Sequence, residues 1–220
     1  MDAIPLTPLG PKGTRDWESR RHALRSHPAL PLRQSWLEEP EPLFAPGQVR
    51  VGLAGMAIAV HATLKDRDVF NPVKRFNTAA FPHGDIFEML IKPEGQESYF
   101  EFHVTPGGTL LQLRWPAPMR RLPLDWSGAA DPLAPYKIDR WRIRAQARVI
   151  RQGWDVTAEI PLKRIFESDV PWERSKVRMC FARYDHTRGR LRPVLSSTAL
   201  LTERDFHRTA EWQCFELHFH

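Results

Sequence analysis

Cysteine is scarce in this chain: Cys180 and Cys214 are the only two, and they lie far apart. That spacing excludes a disulfide framework and a cysteine-based metal cluster, and reads as two buried thiols on strands. No hydrophobic run is long enough to cross a bilayer as a helix. The longest, residues 52–62, falls well short of the roughly 20 residues required. The opening MDAIPLTPLGPKG lacks the basic start and apolar centre of a secretory signal. A cytoplasmic protein is therefore expected if this start is native, and a secreted or periplasmic one if a leader has been removed. The histidines form no HxxxH pair that would suggest zinc. A Gly-rich phosphate loop, a dinucleotide fingerprint, a Ser/His/Asp order and a fixed-period repeat are also missing.

Cationic residues are in excess, with a formal charge of +6, but they are mostly arginines spread along the sequence. No block of five or more Lys/Arg occurs, and no short RNA-binding signature. Nucleic acid is not an expected partner, because net charge alone is non-specific.

What is present is a series of β-strand patterns. GDIFEMLIKPEG (84–95) and ESYFEFHVTPGG (97–108) each alternate apolar and polar residues and end in a Pro/Gly turn. They read as two half-buried antiparallel strands. The segments 48–53, 56–64, 109–115, 176–184, 191–201 and 212–219 read as further strands. WRIRAQARV (141–149) and WDVTAEIPL (154–162), joined at Gln152-Gly153, form the strongest hairpin signal. Residues 163–167 suggest one helical turn. The absence of long intervening helices predicts an all-β fold: an antiparallel β-sandwich of jelly-roll or immunoglobulin-like type over 48–220. With 42% apolar residues the chain has enough for a substantial core.

Residues 1–47 carry eight prolines, a density that forbids long regular structure. They predict a Pro-rich N-terminal arm with one short helix near 15–25, Thr14 as cap candidate, and Trp36 and Leu43 as anchors.

Pleat alternation assigns the faces. Phe87, Met89 and Ile91 oppose Ile86, Glu88 and Leu90. Phe100, Phe102 and Val104 point to the core, and Tyr99, Glu101 and His103 point away. In the late hairpin Trp141, Ile143, Ala145, Ala147 and Val149 face inward. The outward Arg142, Arg144 and Arg148 then meet Asp155 and Glu159, a solvated face with cross-strand ion pairs. An outer face carrying carboxylates, aromatics and His can equally hydrogen-bond and stack on a ligand.

The order of these segments resembles the family 9 carbohydrate-binding modules, within the wider DOMON-like group of β-sandwiches. The resemblance covers about residues 35–220. It rests on Gly84-Asp85-x-Phe87-Glu88, on Tyr99-x-Glu101-Phe102, and on Trp154 with Glu159-Ile160-Pro161. It implies a non-catalytic sandwich that binds carbohydrate between aromatic rings, with polar side chains on the hydroxyls. Some members carry structural calcium, and other relatives in the group hold haem.

Sugar sites need flat aromatic surface and forked hydrogen-bonding groups. On that basis the ligand-binding candidates are Phe81, His83 and Asp85 before the strand at 84–95; Arg114, Trp115 and Trp126 after 109; and Arg183 and Tyr184 on the late strand. Trp115 and Trp126, in or beside a Pro-rich stretch, are expected as exposed platforms. The residues raise three other chemistries. Glu88, Glu101 and Glu159 raise a paired-carboxylate glycosidase, but neighbouring arginines favour ionised carboxylates over a poised acid, and the chain is read as no enzyme. Asp66, Asp68 and Asn71 offer oxygen ligands of the calcium type, although the intervening Arg67 and the low ligand count favour a solvated turn. Met89 and His103 would be the axial pair of a haem-holding, electron-transferring alternative. A partner-binding sandwich without a small ligand is the remaining class.

Overall fold

The computed structural model describes residues 3–10, 16–119, 130–166 and 172–219. In chain order the elements are β1 (Ile4–Leu6), α1 (Trp17–Leu24), β2 (Leu30–Pro31), β3 (Gly47–Leu53), β4 (Ala57–Lys65), β5 (Ile86–Pro93) and β6 (Tyr99–Val104). They continue with β7 (Leu110–Trp115), β8 (Arg144–Ile150), β9 (Gly153–Pro161), α2 (Leu162–Ile165), β10 (Lys176–Asp185), β11 (Val194–Ser197) and β12 (Gln213–Leu217). Two sheets form a sandwich. One is seven-stranded in the order β1-β12-β10-β5-β6-β7, with β11 also on β10; the other is β2-β3-β4-β9-β8. Every pairing between these strands is antiparallel except β1 with β12.

Alternation produces this architecture as expected. Phe87, Met89, Ile91, Phe100, Phe102 and Val104 pack between the sheets with Val156, Ala158, Ile160 and Phe181. The late hairpin has the register Arg144↔Glu159, Gln146↔Thr157 and Arg148↔Asp155. Its ion pairs are real: Arg144 lies 2.9 Å from Glu159 and Arg148 2.6 Å from Asp155. This face is not simply solvated, however. Helix α1 lies over β3, β4 and β9, and its buried Arg20 also pairs with Glu159. Val149, expected inside, is exposed.

The N-terminal residues do more than lie over the domain, since β1 and β2 each extend a sheet. The α1 cap is Asp16, which accepts the Ser19 amide at 2.8 Å; Thr14 lies outside the described residues. Trp36 anchors as expected, edge-on to Phe206 at 6.3 Å. Leu43 does not: it is exposed.

A second apolar cluster lies on the outer face of the seven-stranded sheet. Leu90, Tyr99, Leu113, Trp115, Cys180 and Ala182 meet Leu201, Phe206 and Trp212 from the loops. The face read from sequence as wettable is thus roofed by loops. Strand periodicity cannot reveal that, because loop residues far along the chain supply the roof.

Candidate functional site

The register of β5 on β6 sets Glu88 directly opposite His103 and Leu90 opposite Glu101. Glu88, Glu101 and His103 therefore project from the same side of the sheet, beneath the loops. All three are buried, and one polar atom of each lies within 4.8 Å of the others. His103 Nε2 is bonded to Glu101 Oε1 and lies 3.2 Å from Glu88 Oε1. Glu101 also accepts the Trp115 indole N–H at 2.7 Å. Tyr99 Oη is 2.7 Å from His207 Nδ1, which in turn lies 3.9 Å from Glu101.

Burial in a low-dielectric setting favours neutral forms. It pushes Glu88 up to about 8; attraction to His103 opposes the rise and the Glu101 charge adds to it. Burial acts on Glu101 too, but the His103 charge and the hydrogen bonds from His103 and Trp115 outweigh it and hold that carboxyl far below its usual range. On His103 burial works downward, and its two carboxylates reverse this and raise it. Burial thus favours a proton on Glu88, while the contact between Glu101 and His103 favours their charged forms. His103 Nδ1 is buried without a hydrogen-bond partner.

Aromatic rings surround these groups. Phe81 lies 6.1 Å from His103, edge to face, and 5.9 Å from Tyr184. Tyr184 meets Phe206 at 5.8 Å. Trp115 packs on Tyr136 at 4.8 Å and on Tyr99 at 6.2 Å. Phe81, Tyr136, Tyr184 and His207 are half-buried and reach the surface. The site is therefore a buried acid–His–acid floor under a partly exposed aromatic rim.

Of the residues proposed from sequence, only Phe81, Tyr184 and Trp115 join this cluster. Trp115 corrects the expectation of an exposed platform: it is buried, because the outward position it occupies on β7 lies under the roof. Asp85 and Arg183 are buried and structural. Gly84 lets the 70–71 segment close onto the start of β5, since a Cβ there would sit 2.5 Å from the Phe70 carbonyl oxygen. Asp85 then accepts the amides of Phe70 and His186 at 2.7 and 2.8 Å. Arg183 donates to the Lys65 carbonyl at 2.6 Å and pairs with Asp66 and Asp185 at 2.9 and 3.0 Å. His83 is exposed apart from the cluster. Arg114 is exposed in a different cleft of ≈ 530 Å³ with Tyr136, Asp139 and Trp141. Trp126 lies outside the described residues.

The three calcium candidates have other engagements. Asp66 holds Arg183 and the Asp68 amide. Asp68 holds Arg188. The Asn71 side chain bonds the carbonyls of Ala80 and Asp85 and the amide of Val73. Asp66, Asp85 and Asp185 do converge, with the Arg183 guanidinium paired to two of them. The haem pair does not form: Met89 packs between the sheets, while His103, opposite Glu88, is on the outer face. Adjacent pleat positions point to opposite sides, so these two cannot bind one iron. Glu159 belongs to the other sheet and is taken up by Arg20 and Arg144.

Tyr136, Phe206 and His207 were missed from sequence. They stand on irregular segments with no periodic signal. Glu101, His103 and Tyr99 were legible as a shared outward face of β6.

No protein-family model and no curated protein matches the chain. Solved structures do. A candidate carbohydrate-binding protein from Bacteroides uniformis superposes with a TM-score of 0.73 at 16% identity, over 98% of this chain and 99% of its own. A family 9 carbohydrate-binding module from Caldicellulosiruptor kristjanssonii, in complex with cellotriose, superposes with a TM-score of 0.63 at 13% identity, over 100% of this chain and 95% of its own. The same type of module from that organism, in complex with glucose, gives 0.62 at 11%, over 100% and 97%. At these identities the likeness establishes a shared sandwich fold.

Proposed function

We propose that the protein is a non-catalytic carbohydrate-binding domain whose sugar site is the aromatic rim around Phe81 and Tyr184, above Glu88, Glu101 and His103. The observation that carries this reading is the buried acid–His–acid floor itself. Burying ionisable groups is costly, and apolar replacements of similar volume are often neutral or stabilising. The half-exposed rings above this group offer stacking faces to a pyranose, and Tyr184 and His207 at the rim carry polar atoms for its hydroxyls. The shared fold with modules bound to cellotriose and glucose supports the same assignment. A binding role fits the floor better than hydrolysis. Glu101 is occupied by His103 and Trp115, and Glu88 abuts His103, so neither carboxyl is presented to a glycosidic bond.

The test is calorimetric titration with cellotriose and glucose, together with a glycan array, on the wild type and on Phe81→Ala and Tyr184→Ala. Binding weakened at least tenfold in both variants is expected. A protein that binds no glycan, or binds equally well without either ring, would refute the assignment.

A further inference from the structure

We infer that the glycan taken by this face is acidic, a uronate-bearing polysaccharide whose carboxylates lie along a basic channel next to the aromatic rim. This deepens the sugar-binding reading and rests on it.

Two clefts meet at Pro42 and Leu43. One, of ≈ 720 Å³, is lined by Lys65, Arg67 and Arg151. The other, of ≈ 620 Å³, is lined by Arg190, Arg192 and Arg204. All six cations are exposed. The acids within the two clefts are already engaged. Asp66 and Asp185 neutralise the buried Arg183 at 2.9 and 3.0 Å. Asp68 holds Arg188, and Glu41 holds the Gln34 side-chain amide at 2.6 Å. Among the described residues Lys65, Arg67, Arg151, Arg190 and Arg192 form no ion pair, and Arg204 donates only to the Pro193 carbonyl, at 3.1 Å. Positive charge is thus in excess around the two hollows: Asp66, Asp68 and Asp185 are shared with Arg183 and Arg188, and the Glu41 carboxylate, bonded to a neutral amide, offsets part of the rest.

The channel adjoins the sugar face. Val194, in its wall, pairs with Asp185, and the next pair along is Leu195 with Tyr184 of the rim. Arg204 stands two residues before Phe206, whose ring is 5.8 Å from that of Tyr184. The register and the Phe206 contact thus bring Tyr184 close along the chain to the segments that carry Arg190, Arg192 and Arg204. The channel's apolar surface is largely aliphatic and proline: Leu43, Leu191, Pro42 and Pro193. It lacks the row of flat rings on which single-stranded nucleic acid stacks. The nearby Phe70 ring is already covered by the Arg188 guanidinium, 4.3 Å from its centroid.

The experiment compares alginate and polygalacturonate oligomers with neutral cello-oligosaccharides of equal length, with polyglutamate and single-stranded DNA as other polyanions. Wild type, Arg190→Ser/Arg192→Ser, Lys65→Ser/Arg67→Ser/Arg151→Ser and Phe81→Ala are titrated. These cations are exposed, so the variants keep the fold. Uronate oligomers are expected to bind at least tenfold tighter than neutral ones. Each charge variant should lose at least tenfold toward uronates with neutral binding unchanged. With about four cations engaged and a slope of about 0.7 per contact, a fourfold rise in salt should weaken uronate binding about 50-fold. Neutral sugars bound as tightly as uronates would overturn the acidic specificity and leave the sugar site standing. Polyglutamate or DNA bound as tightly as uronates would overturn it in favour of a general polyanion surface. Failure to bind any glycan would remove both this inference and the sugar site.

Discussion

Replacing Glu88 by Gln should change the pH dependence of stability by an amount the structure specifies. The Glu88 carboxyl is buried and raised from 4.5 to about 8. Between those limits the folded protein keeps a proton that the unfolded chain has released. Stability therefore falls as pH rises across that window, with a slope of about 1.4 kcal/mol per pH unit from this one group. Gln matches the neutral acid in shape and cannot titrate. His103 is also raised, so its contribution too is full below its unfolded value and is lost as pH rises. The Glu88 carboxylate is itself one cause of the His103 rise, so the difference in slopes between the two proteins reports Glu88 together with its effect on His103. From pH 6 to pH 7.5 the wild type should lose about 2 kcal/mol more than Glu88→Gln. For a chain of this length that is about 4–8 °C in Tm. Guanidinium titrations followed by tryptophan fluorescence at pH 6, 6.75 and 7.5 give the slopes directly. Parallel slopes would refute the claim that Glu88 is held neutral, and so would a steeper decline in the variant.

Three further substitutions probe the frame. Arg183→Met strands Asp66 and Asp185 without their counter-charge, which should cost about 3–5 kcal/mol and lower Tm by roughly 10 °C; a calorimetric loss under about 1 kcal/mol would show the pair to be dispensable. Trp115→Phe keeps an aromatic ring, though a smaller one, and removes the indole donor to Glu101. Denaturant unfolding at pH 7 should register a loss of about 1–3 kcal/mol, and an unchanged midpoint would argue that the bond carries nothing. Gly153→Ala puts a Cβ 2.0 Å from the Leu64 carbonyl oxygen at a φ of +139°. It should destabilise by more than about 1 kcal/mol, seen as a lower Tm and soluble yield; a wild-type Tm would contradict the tight approach of β9 to β4.

The fold was readable because strands announce themselves by period. The two lead segments became β5 and β6, and the late hairpin took the register that its Arg and Glu residues suggested. The 191–201 segment was read too long; only Val194–Ser197 pairs. The site was readable in part. Phe81 and Tyr184 meet at its rim; Glu88 and Glu101 were noticed as a carboxylate pair and His103 as a haem ligand, but not as one group. Asp85 and Arg183 were misjudged because a polar residue near a strand end looks the same whether it faces a ligand or holds two loops together.

The amino-acid order alone determined the two-sheet architecture and which side chains share a face, since a pleated strand alternates by geometry whatever surrounds it. Only the tertiary structure decided that the outer face of the seven-stranded sheet is covered. Phe206 and Trp212, which help to cover it, arrive from loops more than 90 positions away from β6. Their placement turns three ordinary polar residues into a desolvated acid–His–acid group, because the charge state of an ionisable side chain is set by the dielectric and neighbours the fold brings to it.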